Sequence, residues 1–401
     1  MDSRQKKIIA GGILAVVLTA GICGGTVALV SSRAGAPATA LAAESEKVRE
    51  TTAAPEETTQ KSVPETTAAE TSAAPETAAE SKEETAAETK AETDVDLTEI
   101  IVDKDPAMYT YEDMEHDMKL WEKAFPQMVK VNSLGKTYDG REIYDMVIGD
   151  INSANHIMIN GGIHAREYMT SQLVMKQAAG FLQNPEQNAP YLENTAVHVI
   201  PMINPDGIVI SQFGPERLNN QETKDLIQVI AQLDGASDMT SYYRRWKSNA
   251  QGIDVNRNFD ALWEDYNDHL GHPSADHYKG ESVGCVPEAA ALIQLTNQYN
   301  FVRTVSYHTQ GGVIYWYFGQ QGELKDKTES FAQEVSAVTG YPLDANYQNL
   351  DPAGYKDWCI HKKGIPSLTI EVGKDTSPVD PAQFAQIWNQ NKDVWSVILN
   401  Y

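Results

Sequence analysis

The sequence predicts an α/β domain from residue 104 to the carboxyl terminus, and three observations carry that prediction. Short apolar or alternating runs at residues 143–148, 156–159, 196–203, 301–307, 313–318 and 367–372 read as strands. Between them lie stretches with apolar side chains three and four residues apart, which is helical spacing. Glycine pairs follow two of the runs, at Gly161-Gly162 and Gly311-Gly312, where an open α/β sheet turns from strand end into loop.

Two segments precede the domain. Residues 1–33 form a basic tip and an apolar stretch: Arg4, Lys6 and Lys7 come before an uncharged run at 8–30. At about 1.5 Å per residue such a run crosses a bilayer, and it is longer than the core of an ordinary signal peptide. The reading is a single-pass anchor, or a signal segment if it is cleaved near Ala34-Gly35-Ala36 or Ala40-Leu41-Ala42. Either way the basic leader places the rest outside the cytoplasm, anchored on the extracellular face or secreted. From residue 34 to about 96 the chain is mainly Ala, Glu, Thr, Ser and Pro with no aromatic group, a composition that buries too little apolar surface to order itself, so a disordered stalk is expected over residues 34–103.

The net charge of -24 excludes nonspecific attraction to nucleic acid. Cys23 falls in the apolar run. Beyond it only Cys285 and Cys359 remain, too few for a disulfide framework, and they read as one bridge or two free thiols.

Within the domain, residues 111–124 are helical by period, 143–148 alternate as a strand, and 156–159 form a short buried strand running into Gly161-Gly162. Residues 170–182 then set Leu173, Val174, Ala178, Phe181 and Leu182 on one helical face, so Glu167 stands just before or inside a first helical turn. Further helices are expected at 224–233, 287–299, 325–339 and 381–397. The stretch from 213 to 279 is polar and irregular, as loops at the rim of a site are.

The segment Gly161 to Tyr168 carries His164 and Glu167 three residues apart, an imidazole and a carboxylate at a strand end. A catalytic zinc takes three protein ligands and keeps one position open, commonly with two histidines and a carboxylate. His308 is the third candidate, since it ends an apolar strand just before Gly311-Gly312. His198 sits inside an alternating strand and reads as solvent-facing, His269, His272 and His277 fall in the polar insertion, and His361 reads as surface. Hydrolysis at a metal also needs a base to take the proton of water. Glu371 is the candidate, because it interrupts the apolar strand 367–372, where an unpaired carboxylate is costly. In the segment 252–259, Arg257 with Asn256 can bind a carboxylate. Asp254 can orient a ligand histidine from behind.

In this order, His164-x-x-Glu167, Asn204-Pro205-Asp206-Gly207, Asp254 to Phe259, Tyr307-His308 and Thr369-Ile370-Glu371, the sequence resembles the zinc carboxypeptidase (carboxypeptidase A-like) metallopeptidases from about Tyr109 onward. The resemblance implies a central mixed, twisted sheet of about eight strands flanked by helices on both faces. It implies one zinc ion held by His164, Glu167 and His308, with Glu371 as general base and acid. Asn256 and Arg257 would hold a substrate carboxylate, closed over by a loop tyrosine, Tyr347 or less closely Tyr355.

Where digestive members carry an arginine after a tryptophan, this chain has Trp246-Lys247, so Lys247 takes the role of polarising the scissile carbonyl. Lys356 stands where the pocket after the cut is floored, and Arg166, between the two metal ligands, reads as a rim residue on the substrate side. Arg245 to Asn249, His308 to Gly311 and Val313 to Trp316 look most like the bacterial branch similar to γ-D-glutamyl-diaminopimelate peptidases. The implied activity is hydrolysis of short peptides, cell-wall stem peptides between D-glutamate and the diamino acid. The alternative is an extracellular metallocarboxypeptidase that removes C-terminal residues from ordinary peptides.

Overall fold

Eight strands form one sheet in the computed structural model, which describes residues 95–105 and 109–401. The apolar run at 8–30, Cys23 and most of the stalk lie outside the described residues. Among the described residues no helix is long and apolar enough to cross a membrane. The domain starts earlier than residue 104: Val102 is buried, the Ile101 amide donates to Asp117 Oδ1 (2.8 Å), and Lys104 pairs with Asp113 (2.7 Å).

The strands are β1 (Val129–Lys136), β2 (Glu142–Ile148), β3 (Asn155–Asn160), β4 (Thr195–Ile200), β5 (Phe301–Thr309), β6 (Val313–Tyr315), β7 (Leu343–Asp344) and β8 (Ser367–Val372). Their order is β1-β2-β4-β3-β5-β8-β6-β7. The middle four, β4, β3, β5 and β8, run parallel, while β2 and β6 join them antiparallel. The sheet is therefore mixed, as the resemblance implies. From β3 the chain goes to β4 on one side and then crosses to β5 on the other. That reversal opens a crevice beyond the carboxyl ends of β3 and β5, the place where α/β sheets bind ligands.

Both faces of the sheet are covered. Ile157 and Ile159 of β3 face one cluster with Val305, Leu368, Leu173 and Phe331, while Met158 faces another with Leu292, Leu295 and Trp358. Alternation along a strand sends neighbours to opposite faces, so strands buried on both sides are apolar throughout. Helix α1 (Tyr111–Ala124) opens with a capping box between Thr110 and Asp113. Helix α2 (Met169–Leu182) is buried nearly all round rather than on one face. Its Gln172 and Gln177 are tied off by donating to Val102 O (2.6 Å) and to Tyr307 Oη (2.8 Å). The expected helix at 381–397 is broken into Pro381–Gln383, Phe384–Asn391 and Val394–Ile398.

His198 is the clear reversal of expectation. It is fully buried, with Nδ1 2.8 Å from Asp145 Oδ2 and Nε2 2.9 Å from His156 Nδ1. A strand in the middle of a covered sheet has no solvent face, and the partners from β2 and β3 supply what water would have. Cys285 and Cys359 form no disulfide.

Candidate functional site

The crevice beyond β3 is shaped by glycine. Gly162 takes φ +63°, and a Cβ there would stand 2.6 Å from Ser171 Oγ, 2.9 Å from Ile208 Cδ1 and 3.1 Å from Pro201 O. Only glycine fits both the dihedral and the space. The turn delivers His164, and the 3-10 turn Ala165–Glu167 then brings Glu167 back beneath it. His308 arrives from β5, one residue before its end.

The three side chains converge. His164 Nδ1 lies 2.8 Å from Glu167 Oε1, His308 Nδ1 lies 3.0 Å from Glu167 Oε2, and the two Nδ1 atoms are 3.2 Å apart. All three residues are buried. Burial alone would raise the Glu167 carboxyl, but His164 and His308 hold it below the usual carboxylate range. Behind His164, Asp254 Oδ1 stands 3.3 Å from Nε2. A carboxylate there keeps a proton on Nε2, which leaves the Nδ1 lone pair facing the centre. Two imidazole nitrogens and a carboxylate, converging and backed by an acceptor, fit a zinc ion.

Glu371 sits one strand over, paired in register with His308. Gly311 lies beside it: a Cβ there would stand in ordinary contact with Glu371 Cβ (3.6 Å) and tight against Val313 Cγ1 (3.1 Å). The residue keeps partial exposure, yet Oε2 is buried and has no hydrogen-bond partner among the described residues. Burial, with Glu167 adding repulsion, pushes the carboxyl up to about 8 against the pull of His308 and Lys247.

Lys247 is buried, with Nζ 2.8 Å from Asp254 Oδ2 and 3.2 Å from Asp276 Oδ1. Arg166 turns to the same aspartate, with Nη1 2.9 Å from Asp276 Oδ2. Arg166, which the sequence reading set on the rim, thus has a protein partner and stays partly exposed. Arg257 is buried too, pairing with Asp351 (2.7 Å), donating to Asn256 O (2.9 Å) and lying 5.0 Å over the Tyr266 ring. Asn256 Oδ1 accepts the Tyr355 amide (2.9 Å), which fixes the turn into Tyr355–Trp358.

Lys356 on that turn is buried, paired with Asp357 and 3.3 Å from Tyr317 O. Tyr347 lies on an exposed loop with its ring against Tyr317 at 4.6 Å. Tyr355 is eliminated as its substitute, because it is fully buried with its hydroxyl 2.8 Å from Thr296 Oγ1.

Sequence reasoning missed Asp276, Asp351 and Asp357. Each is the counter-ion of a basic residue it did name. For Asp357 the signal was adjacency to Lys356. For Asp276 and Asp351 there was none, because neither neighbours its base in sequence: Arg166 lies 110 residues from Asp276 and Arg257 lies 94 from Asp351.

Comparison with known proteins follows the same lines. A gamma-D-glutamyl-L-diamino acid endopeptidase 1 of Lysinibacillus sphaericus is 29% identical over 291 residues, covering 70% of each chain. The catalytic chain of human carboxypeptidase N is 23% identical over 260 residues, 60% of this chain and 50% of that one. Among solved structures, carboxypeptidase A of Helicoverpa armigera superposes with a TM-score of 0.58 at 18% identity, covering 73% of this chain and 72% of its own, and shares the fold. The family profile described as zinc carboxypeptidase matches residues 114–394, a span that takes in the converging histidines and Glu371. The chain belongs to the zinc carboxypeptidase family and is a metallopeptidase.

Proposed function

We propose that this metallopeptidase hydrolyses short cell-wall peptides between D-glutamate and the diamino acid. His164, Glu167 and His308 would hold the one zinc ion, which when bound acts as a Lewis acid toward water and the scissile carbonyl. Glu371 takes the proton of the attacking water and passes it to the leaving amine. A carboxyl lifted to about 8 by burial suits the second half of that task, and the cationic centre beside it favours the first. Lys247, held charged by Asp254 and Asp276 against the cost of burial, supports negative charge growing on the carbonyl oxygen. Arg257 and Asn256 fix the substrate carboxylate, and Tyr347 closes when its loop moves.

The observation that carries the chemistry is the convergence of three ligand atoms with an unpartnered Glu371 oxygen one strand away. What supports the substrate is the pair of buried cations, Arg257 and Lys356, each beside an aspartate. A diamino acid whose side chain ends in both an amine and a carboxylate finds an opposite charge for each. The similarity to the Lysinibacillus endopeptidase points the same way. In this reading the leader at residues 1–33 places the domain on the outer face of the membrane.

The test is a digest of defined muropeptides beside C-terminally blocked and free L-peptides, with and without chelator, read by mass spectrometry. Release of the diamino acid from D-glutamate, lost with chelator, is the expected result. Trimming of C-terminal residues from ordinary L-peptides, with muropeptides left intact, would establish the carboxypeptidase alternative.

A further inference from the structure

We propose that Asp276 is a positioning residue for hydrolysis: anchored by Arg166 on one side, it pins the Lys247 ammonium against Asp254 and aims it at the reacting carbonyl. The inference rests on the role given to Lys247 above and adds what makes a lysine able to fill it. An arginine brings its own planar fork. Lysine is a compact charge on a four-carbon stem and must be held from outside. Electrostatic stabilisation of a transition state works only when the charge is already in place.

The structure holds it twice over. Through side chains, Arg166 Nη1 meets Asp276 Oδ2 (2.9 Å), and Asp276 Oδ1 meets Lys247 Nζ (3.2 Å). Through the backbone, the residue before each partner bonds the same lysine: Ala165 N donates to Lys247 O (3.0 Å), and Lys247 N donates to Ala275 O (2.9 Å). Three segments distant in sequence are thus fixed in register around one ammonium group. Asp254 offers Lys247 one oxygen, Oδ2, while its Oδ1 stands 3.3 Å from His164 Nε2. Asp276 supplies a second anchor, itself held by Arg166. Among the described residues no third acceptor contacts Lys247 Nζ, so the ammonium retains a side for the substrate.

Asp254, Asp276 and His277 also come close enough to suggest a second metal site. Lys247 Nζ is in contact with both aspartates, and the cation they hold is this lysine.

Charge and position make opposite predictions, which renders the proposal testable. Removing a negative group beside Lys247 strengthens the local positive field and by itself favours a developing oxyanion. Removing an anchor weakens it. In zinc-loaded full-length Asp276→Asn, kcat should fall about 10- to 100-fold with KM within about threefold, the pattern of an interaction made only in the transition state. Calorimetric affinity for a peptide phosphonate should fall at least about tenfold, with zinc content unchanged.

In a Lys247→Met background the same substitution should change kcat less than about twofold, since the group it positions is gone. Unchanged or raised kcat and phosphonate affinity, or a full-sized effect in the Lys247→Met background, overturns the proposal. If Asp276→Asn fails to fold, Asp276→Glu keeps the charge and shifts the carboxylate by one methylene. It should show the same loss, and full activity in it is equally fatal. The kinetics use whichever peptide the wild type cleaves, so a wild type inert on muropeptides refutes the substrate and leaves this cycle readable, while the phosphonate reports without turnover.

Discussion

Glu371 and Glu288 are both carboxyls taken out of water, and they differ in what surrounds them. Glu371 faces the metal centre with one oxygen unpartnered. Glu371→Gln keeps the shape and removes the base, so turnover should drop at least about a hundredfold while zinc content and melting temperature hold. Metal analysis beside steady-state kinetics checks both halves. Glu288 is fully buried, with Asn249 Nδ2 donating to its Oε2 at 3.0 Å.

Burial raises Glu288 to about 8 from its ordinary 4.5, and Asn249 only partly opposes it. The folded state therefore keeps a proton that the unfolded chain gives up above pH 4.5. Its contribution to stability is full below that value, declines as pH rises, and is gone once pH passes about 8. Melting temperature should fall across that window in the wild type and fall less in Glu288→Gln. An unchanged slope would show that Glu288 is not the group responsible. The sequence picked out Glu371 correctly but placed His198 wrongly, because a polar residue inside a strand does not show what reaches it. Glu371 and His198 both interrupt apolar strands, and one faces the site while the other is satisfied by Asp145 and His156 within the core.

At the scale of elements, period and punctuation were legible wherever the pattern was strong. The helix expected at 111–124 and the strand at 367–372 agree with the structure to the residue. The misses have identifiable causes. Strand β1 lies at the sheet edge and is mostly polar, so it lacks the apolar run that marked the others. The helix Pro205–Phe213 begins at Asn204-Pro205-Asp206-Gly207, which resembles a turn, yet Asn204 caps it by accepting the Gly207 amide (3.0 Å). The turn after β3 is the element on which the site depends most. Gly162→Ala forces a side chain into a left-handed dihedral and onto Ser171, so it should destabilise the fold by about 1–3 kcal/mol. Because the strain falls two residues before His164, zinc affinity measured by chelator competition should weaken as well. Wild-type affinity in a folded Gly162→Ala protein would show that the turn does not set the ligand.

For the whole molecule, the metal centre is a long-range assembly. Glu167 and His308 are 141 residues apart, joined only because β3 and β5 lie side by side. An ion that binds this folded arrangement and not the unfolded chain adds stability by mass action. Removing zinc should abolish hydrolysis and lower the melting temperature by several degrees, and adding zinc back should restore both. A melting temperature indifferent to zinc would contradict the assigned ligands.

The alternating α/β character and the residue types in their order were legible in the sequence, with His164 and Glu167 in the turn after one strand and His308 and Glu371 near the ends of two others. Those are local properties, because period, glycine turns and strand length depend on neighbours in the chain. It took the packed fold to show that His198 belongs to the core, that Tyr355 is not a lid, and that Asp276 stands between Arg166 and Lys247. Those outcomes depend on which segments the crossover from β4 to β5 brings together. A buried charge takes its meaning from the partner that reaches it, and that partner comes from far along the chain.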